Sequence, residues 1–188
     1  MSSPMKLAHV VLRTGRFQQM RDWYLEVLEA TVSFDNGQVC FLAYDDEHHR
    51  IGIVNTGATE QPGPKTRGLE HFAFTYADIT GLLHTYERLE QAGITPFWSV
   101  NHGPTTSFYY RDPDGNHIEL QVDNFARHED ATSFMRSEVY GSNPIGVDIE
   151  PRELLRRLRA GEQPAELAKA HSNAKPRGFE TVPAEFFR

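Results

Sequence analysis

The chain has 188 residues, of which 39% are hydrophobic and 24% charged, so it can build the core of one globular domain in water. Its formal net charge of −7 argues against nucleic acid as a partner, because proteins that bind nucleic acids present basic surfaces. Cys40 is the only cysteine, which excludes an internal disulfide and favours a reducing compartment. With no apolar run long enough to span a membrane and no signal-peptide pattern, we expect a cytoplasmic protein without membrane contact.

The first third of the chain predicts the element order β-α-β-β-β. An apolar run near the N-terminus indicates a strand, and the segment after it carries apolar side chains at the spacing of a helix face. Asn36-Gly37 is the sequence of a tight hairpin turn, so the runs on either side of it predict paired strands. The predicted segments are a strand at 6–14, a helix at 17–30, hairpin strands at 30–35 and 38–46, and a strand at 48–56.

The second third repeats this order after a segment, 55–68, whose glycine, proline and threonine content is typical of a linker. Asp-Pro-Asp-Gly at 112–115 is a typical turn sequence, and it lies between two runs rich in aromatic and β-branched residues. This pattern predicts a β-hairpin at the end of the module. The predicted segments are a strand at 69–78, a helix at 79–93, a strand at 94–100, and hairpin strands at 106–110 and 117–122. The chain therefore contains an internal repeat, with modules at about 6–56 and 68–125.

Three side chains of this repeat are candidate metal ligands. Each module begins with an apolar strand that contains one histidine, His9 in LAHVVL and His71 in LEHFAF, and equivalent strands of a repeat direct equivalent residues toward a shared axis. In the last strand, alternation places Glu119 on the face opposite Ile118 and Leu120. Taken singly, each of the three is more often a packed or solvated side chain. Together, two imidazoles and one carboxylate form the facial triad that holds Fe(II) and leaves coordination positions open.

The repeat, these three residues and the segment SFYYRDPDGNHIEL resemble the vicinal-oxygen-chelate superfamily. That superfamily contains glyoxalases, fosfomycin-resistance proteins, bleomycin-binding proteins and extradiol ring-cleaving dioxygenases. The resemblance covers about residues 5–125 and implies an α+β fold, in which two paired βαβββ modules form a cup-like mixed sheet around a metal site. It implies a catalytic domain at 1–125, followed by a C-terminal extension at 126–188.

Three further residues resemble, in order and approximate spacing, the His, His and Tyr set of the type I extradiol dioxygenases. They are His49 in EHHRIGIV, His102 in VNHGPTTSFYY, and Tyr109 within SFYY. Glyoxalases and fosfomycin-resistance proteins are not expected to carry this set. Two questions stay open at this point. His49 lies beside His48 and an acidic run, so it also fits a solvated strand end, and the direction of Tyr109 relative to Tyr110 depends on a hairpin register that the sequence does not specify.

The resemblance implies cleavage of the ring bond beside the two hydroxyls of a catechol or a 2,3-dihydroxybiphenyl, with insertion of both atoms of O2. Fe(II) is the expected ion, and Mn(II) fits the same ligands. His49 would stabilise the reduced oxygen species and supply a proton, while His102 and Tyr109 would hydrogen-bond the substrate oxygen. The alternatives are a glyoxalase-type enzyme, which requires a fourth protein ligand, and a non-enzymatic binding protein of the same fold.

The composition changes after residue 125. Pro151 to Gly161 predicts a short helix with Leu154, Leu155 and Leu158 on one side. The extension is expected to pack on the modules or on a neighbouring subunit rather than to form a lid, and the resemblance implies a homo-oligomer. Four aromatic residues of the second module are expected to pack in the hydrophobic core rather than to line a substrate pocket: Phe97, Trp98, Phe108 and Tyr110.

Overall fold

The structure of the protein, a computed structural model, describes residues 2–61, 63, 65–171 and 175–187. The chain divides into two compact units. The first holds the described residues up to 61 together with the turn at 112–116, and the second holds those from 63 to 111 and from 117 onward. Each unit has its own mixed β-sheet and its own helices, which confirms the predicted α+β class.

The first unit has the predicted order β-α-β-β-β. Its elements are β1 (Val10–Thr14), α1 (Phe17–Leu28), β2 (Thr31–Asp35), β3 (Val39–Ala43) and β4 (Ile51–Asn55). The strands form one sheet in the order β1-β4-β3-β2, with β1 parallel to β4 and the other neighbours antiparallel. Helix α1 buries Phe17, Met20, Tyr24 and Val27, whose spacing of three and four residues gives it one apolar face.

The predicted segments of this unit are all longer than the observed elements, and β1 and α1 show why. Strand β1 begins at Val10 rather than at residue 6, because its partner β4 extends no further. The backbone before it is held by a side chain instead, since Arg50 Nη1 donates to the carbonyl oxygen of Leu7 at 2.6 Å. Helix α1 ends at Leu28 because Glu29 adopts a left-handed conformation, with φ of 48°, that closes the helix.

The second unit repeats the order in its first part, again as predicted. These elements are β5 (His71–Thr75), α2 (Ile79–Gln91), β6 (Trp98–Asn101), β7 (Thr105–Arg111) and β8 (His117–Asp123). The side chain of Asp78 starts α2 by accepting a hydrogen bond from the backbone N–H of Gly81 at 2.9 Å. The strands form a sheet in the order β5-β8-β7-β6, in which β5 runs parallel to β8 and the rest is antiparallel.

The described residues after 125 belong to this second unit. A short strand, β9 (Val147–Asp148), adds to the free edge of β6. The helices are α3 (His128–Met135), α4 (Glu138–Ser142), α5 (Pro151–Arg159) and α6 (Pro164–Leu167), followed by 3-10 turns at Phe179–Thr181 and Ala184–Phe187. Helix α5 buries Leu154 and Leu155 and packs on α2, where Arg152 Nε donates to Glu90 Oε1 at 2.7 Å. Among the described residues, no helix is both long enough and apolar enough to cross a membrane.

Candidate functional site

Strand β8 is buried on both of its faces, so Glu119 is a buried carboxylate and not a solvated one. Its residue is only 5% exposed, and its neighbours Ile118 and Leu120 on the other face are fully buried. A carboxylate in such a position must be paired, because an isolated buried charge is costly. Its partner is His71, whose Nε2 lies 3.0 Å from Glu119 Oε2.

The register between β5 and β8 explains this contact. Ala73 lies directly opposite Glu119, and His71 lies two positions earlier on the same strand. Residues two positions apart share a face of the sheet, so the imidazole and the carboxylate project to the same side. The parallel pairing of the first and last strands of the module therefore brings together two of the three predicted metal ligands.

A second carboxylate, Glu70, contacts the other side of the His71 ring. Glu70 Oε2 makes a short hydrogen bond to Nδ1 of His71, and Oε1 of the same carboxylate lies 2.9 Å from Nδ1 of His117. Arg111 Nε in turn donates to His117 Nε2 at 3.2 Å. Sequence reasoning missed Glu70, although its position directly before His71 and the placement of His117 on the Glu119 face of β8 were both readable. Glu70 holds the ring of His71 in the orientation that directs Nε2 toward Glu119.

The electrostatics of this pair follow from its two carboxylates. Hydrogen bonding to Glu119, with a further contribution from Glu70, raises the pKa of His71 to about 9 despite the opposing effect of burial. Burial raises the pKa of Glu119, but hydrogen bonds from His71 and Ser107 outweigh it and hold that pKa below its ordinary value. Without an ion, His71 and Glu119 thus form a pair of opposite charges.

The register between β7 and β8 resolves the direction of Tyr109. Tyr109 lies opposite Glu119, so the two side chains share a face, whereas Tyr110 lies opposite Ile118 and points to the other side. The Tyr109 hydroxyl lies 3.0 Å from Nε2 of His102. Two of the three residues predicted to act on the substrate are therefore in contact with each other, on the face of the sheet that carries Glu119.

The hydrogen bonds of His102 specify its tautomer. Its Nδ1 lies 2.6 Å from the carbonyl oxygen of Ile145, which can only accept, so Nδ1 carries the proton. Nε2 is then an acceptor for the Tyr109 hydroxyl. Burial lowers the pKa of His102, so the ring stays neutral. Burial also raises the pKa of Tyr109, and the nearby Glu119 adds to this effect.

The remaining two predicted residues, His9 and His49, are neighbours within the first unit. His9 is exposed and directly precedes β1, and its ring centroid lies 4.5 Å from that of His49, which directly precedes Arg50 and β4. His48 stacks on His49 at 4.1 Å, and their Nδ1 atoms are 2.5 Å apart. Desolvation, together with the positive charge that His48 and His9 can carry, lowers the pKa of His49. The carboxylate of Glu47, Oε1 of which is 3.7 Å from His49 Nδ1, completes a group of three potential ligands with His48 and His49.

The six predicted site residues thus fall into two groups, one in each unit. The structure brings together His71, His102, Tyr109 and Glu119 in the second unit, and His9 and His49 in the first. That both groups serve one ion stays a prediction.

The chemistry of the donors in the second unit fits a transition-metal ion. His71 Nε2 and Glu119 Oε2 lie 3.0 Å apart on one face of the sheet, close enough for both atoms to bind the same ion. Imidazole and carboxylate are also the donor types that Fe(II) and Mn(II) accept.

Comparisons with known proteins indicate the family that the chain is similar to. The profile of the Glyoxalase/Bleomycin resistance protein/Dioxygenase superfamily matches residues 6–120. Biphenyl-2,3-diol 1,2-dioxygenase 2 of Rhodococcus globerulus is 42% identical over 97% of this chain and 94% of its own length, and biphenyl-2,3-diol 1,2-dioxygenase 3 of the same organism is 43% identical over 86% of each chain.

Among solved structures, lactoylglutathione lyase of Agrobacterium tumefaciens superposes with a TM-score of 0.52. The match covers 64% of this chain and 96% of that protein, at 19% identity, and so speaks for the fold alone. From the profile match and the identity to the two relatives over most of the chain, the protein belongs to the Glyoxalase/Bleomycin resistance protein/Dioxygenase superfamily.

Proposed function

We propose that the protein is an extradiol dioxygenase that uses O2 to cleave the ring of a catecholic substrate such as catechol or 2,3-dihydroxybiphenyl. The observation that carries the proposal is the shared face of β7 and β8, where the paired His71 and Glu119 lie beside the hydrogen-bonded Tyr109 and His102. The His71–Glu119 pair could bind a metal ion that holds the diol. The neutral histidine and the tyrosine beside it could then accept and donate the protons that ring cleavage requires. The names of the two Rhodococcus relatives support the same reaction.

Fe(II) is the ion we propose, with Mn(II) as an ion that the same donors accept. His9, His71 and Glu119 would hold it. The ion would supply open coordination positions for the two oxygens of the diol and for O2. Glu119 offsets one positive charge, and Glu70 keeps the His71 ring in its binding orientation through Nδ1.

Tyr109 and His102 are the proposed hydrogen-bonding partners of the substrate. Because Nδ1 of His102 is committed to the Ile145 carbonyl, its Nε2 is the atom that can accept a proton at the site. The Tyr109 hydroxyl, with its raised pKa, stays protonated, and on substrate binding it would turn from His102 Nε2 to donate to a diol oxygen, which leaves Nε2 open to accept a proton. His49 is the proposed proton donor to reduced oxygen; because its lowered pKa makes the neutral ring its resting form, it would first take up a proton that the diol releases. A homo-oligomer stays a prediction from the resemblance.

The test is a ring-cleavage assay on the protein freed of metal with a chelator and then loaded anaerobically with Fe(II). Catechol or 2,3-dihydroxybiphenyl is added in air, and O2 uptake is followed together with visible absorbance. We expect a yellow semialdehyde-type product with one O2 consumed per ring. His9→Ala, His71→Ala and Glu119→Ala should abolish the reaction and weaken metal binding, whereas His84→Ala, at an exposed position on α2, should change neither.

Two outcomes would contradict the proposal. Bound Fe(II) without O2 uptake on either diol would exclude these substrates and favour glyoxalase-type chemistry on the same ion. Failure of the wild-type protein to bind Fe(II) or Mn(II) would instead favour a small-molecule-binding protein of this fold.

A further inference from the structure

The C-terminal end of the chain reaches the face of the sheet that carries the candidate site. Phe186, in the last 3-10 turn, has its ring centroid 5.5 Å from Tyr109, 5.5 Å from His117 and 6.2 Å from His71. These separations are those of packed aromatic rings. Phe186 is therefore in ring contact with one proposed metal ligand and one proposed substrate-binding residue, although it lies 67 positions beyond Glu119 in the sequence.

Two aromatic residues of the second module complete this surface. Trp98 stacks on Tyr109 with centroids 5.0 Å apart and meets the Phe186 ring edge-on at 5.3 Å. Phe97 lies 6.4 Å from Phe186 and 4.9 Å from His117. Phe108 and Tyr110, by contrast, are fully buried on the opposite face of β7, where Phe108 packs on Tyr86. Only two of the four aromatic residues considered from the sequence thus face the candidate site.

The segment that carries Phe186 is anchored to the body of the unit. Arg177 makes a two-pronged ion pair with Asp148 on β9, at 2.8 and 3.0 Å, and the same carboxylate accepts a hydrogen bond from Trp98 Nε1 at 2.9 Å. Val182 is 7% exposed and packs in a cluster with Trp98 and Tyr109. The segment is thus held against the sheet by both polar and apolar contacts.

We propose that Phe186 is a substrate-contacting residue that selects for the size of the catechol, and this rests on the ring-cleaving function proposed above. The diol end of the substrate is recognised by the ion and by Tyr109, and its hydrocarbon part needs an apolar surface beside them. Phe186 is only half-buried, so part of this residue stays exposed beside the site. A second aromatic ring on the substrate extends onto Phe186, whereas unsubstituted catechol does not need it.

The test compares Phe186→Ala with the wild-type protein and with Phe179→Ala, a change at an exposed phenylalanine of the same tail. Steady-state O2 uptake gives KM and kcat for 2,3-dihydroxybiphenyl and for catechol. Anaerobic calorimetry with the Mn(II)-loaded protein gives the Kd of each diol without any turnover. We expect Phe186→Ala to raise KM and Kd for 2,3-dihydroxybiphenyl about tenfold, to change those for catechol less than threefold, and to leave the Kd of Mn(II) unchanged.

Equal losses for the two diols would overturn the proposal, since they would mean that Phe186 only supports the fold of the site. Unchanged binding of both diols would overturn it as well. Phe186→Leu, which keeps the apolar volume, should restore most of the affinity for the larger diol. If the wild-type protein binds diols but consumes no O2, the proposed function fails, while the ratio of the two Kd values still decides the role of Phe186.

Discussion

Tyr109 and Tyr110 are adjacent in sequence and differ in what their hydroxyl groups contact. The Tyr109 hydroxyl lies 3.0 Å from His102 Nε2 and shares a face with Glu119. Tyr110 is fully buried, and its hydroxyl has no hydrogen-bond partner within the part of the chain that the structure describes. One phenol is therefore the proposed donor to the substrate, and the other serves packing at the cost of an unpaired polar atom.

Replacing each tyrosine by phenylalanine should separate these roles. Tyr109→Phe should lower kcat about 10²-fold with little change in metal affinity, because it removes a donor to the substrate and leaves the ligands in place. Tyr110→Phe should leave kcat unchanged and raise the free energy of unfolding by about 1 kcal/mol, because it removes a buried unpaired hydroxyl. Ring-cleavage kinetics and urea unfolding measure the two quantities. A large kcat loss in Tyr110→Phe would reverse the assignment.

Glu70 should affect the affinity for the metal through its contact with His71. Glu70→Gln keeps the size of the side chain but weakens its hydrogen bond to Nδ1 of His71. Partners of this kind orient a metal-binding histidine, and their loss commonly costs 10- to 100-fold in affinity. We expect the Kd of Mn(II) to rise by about that factor, measured by calorimetry. Glu129→Gln, at an exposed position on α3, is the matched control and should leave the Kd unchanged.

At the scale of elements, the turn between β7 and β8 is held by one buried carboxylate. Asp112, 4% exposed, accepts hydrogen bonds from the hydroxyl of Tyr24 on α1 at 2.9 Å and from the backbone N–H groups of Asp114 and Asn116 at 3.0 and 2.8 Å. The side-chain amide of Asn116 donates a fourth, at 2.7 Å. These bonds offset the burial that raises the pKa of Asp112.

Asp112→Ala should therefore destabilise the protein strongly. It leaves several buried donors without an acceptor, and we expect the free energy of unfolding to fall by about 3 kcal/mol. Tyr24→Phe, which removes one of the four bonds, should cost about 1 kcal/mol. Asp123→Ala, at the exposed end of the same hairpin, should stay within about 0.5 kcal/mol of the wild-type protein. Equal effects of Asp112→Ala and Asp123→Ala in urea unfolding would refute this role.

The sequence predicts those helices and strands that depend on local patterns. Alternation and turn residues predicted the hairpin of β7 and β8, and two such patterns in series predicted the repeat. The register of the hairpin was not readable, because a shift by one residue would have exchanged Tyr109 and Tyr110 without changing either strand's composition. The start of strand β1 could not be predicted either, because it depends on where its partner strand β4, which is distant in sequence, begins.

At the scale of the whole molecule, the role of the C-terminal extension was the least predictable feature. The superfamily profile ends at residue 120, and the pattern of the last residues, GFETVPAEFF, predicts no regular element. Its position depends on contacts that are remote in sequence, such as those of Arg177 with Asp148 and of Val182 with Trp98. Contacts of this kind leave no periodicity in the segment that makes them.

The response of the whole molecule to pH should reflect the burial of His102. Its environment combines groups of both signs: Glu119 and the Ile145 carbonyl favour the charged ring, while His71 and Arg177 oppose it. Desolvation is the largest effect and lowers the pKa in the folded state. The unfolded chain has no such burial, so its His102 titrates near the ordinary value of about 6.5.

A folded-state pKa below the unfolded one means that, as pH falls through about 6.5, the unfolded chain takes up a proton that the folded protein resists. His102 should then lower the free energy of unfolding of the metal-free protein as pH falls, by up to about 1.4 kcal/mol per pH unit, while His71, with its raised pKa, acts in the opposite direction. His102→Gln removes this group while other titrations remain. Between pH 7.5 and 5.5, urea unfolding should show a steeper loss of stability in the wild-type protein than in this variant. Parallel curves would mean that the folded protein accepts the proton on His102 as readily as the unfolded chain does, which the burial of this ring argues against.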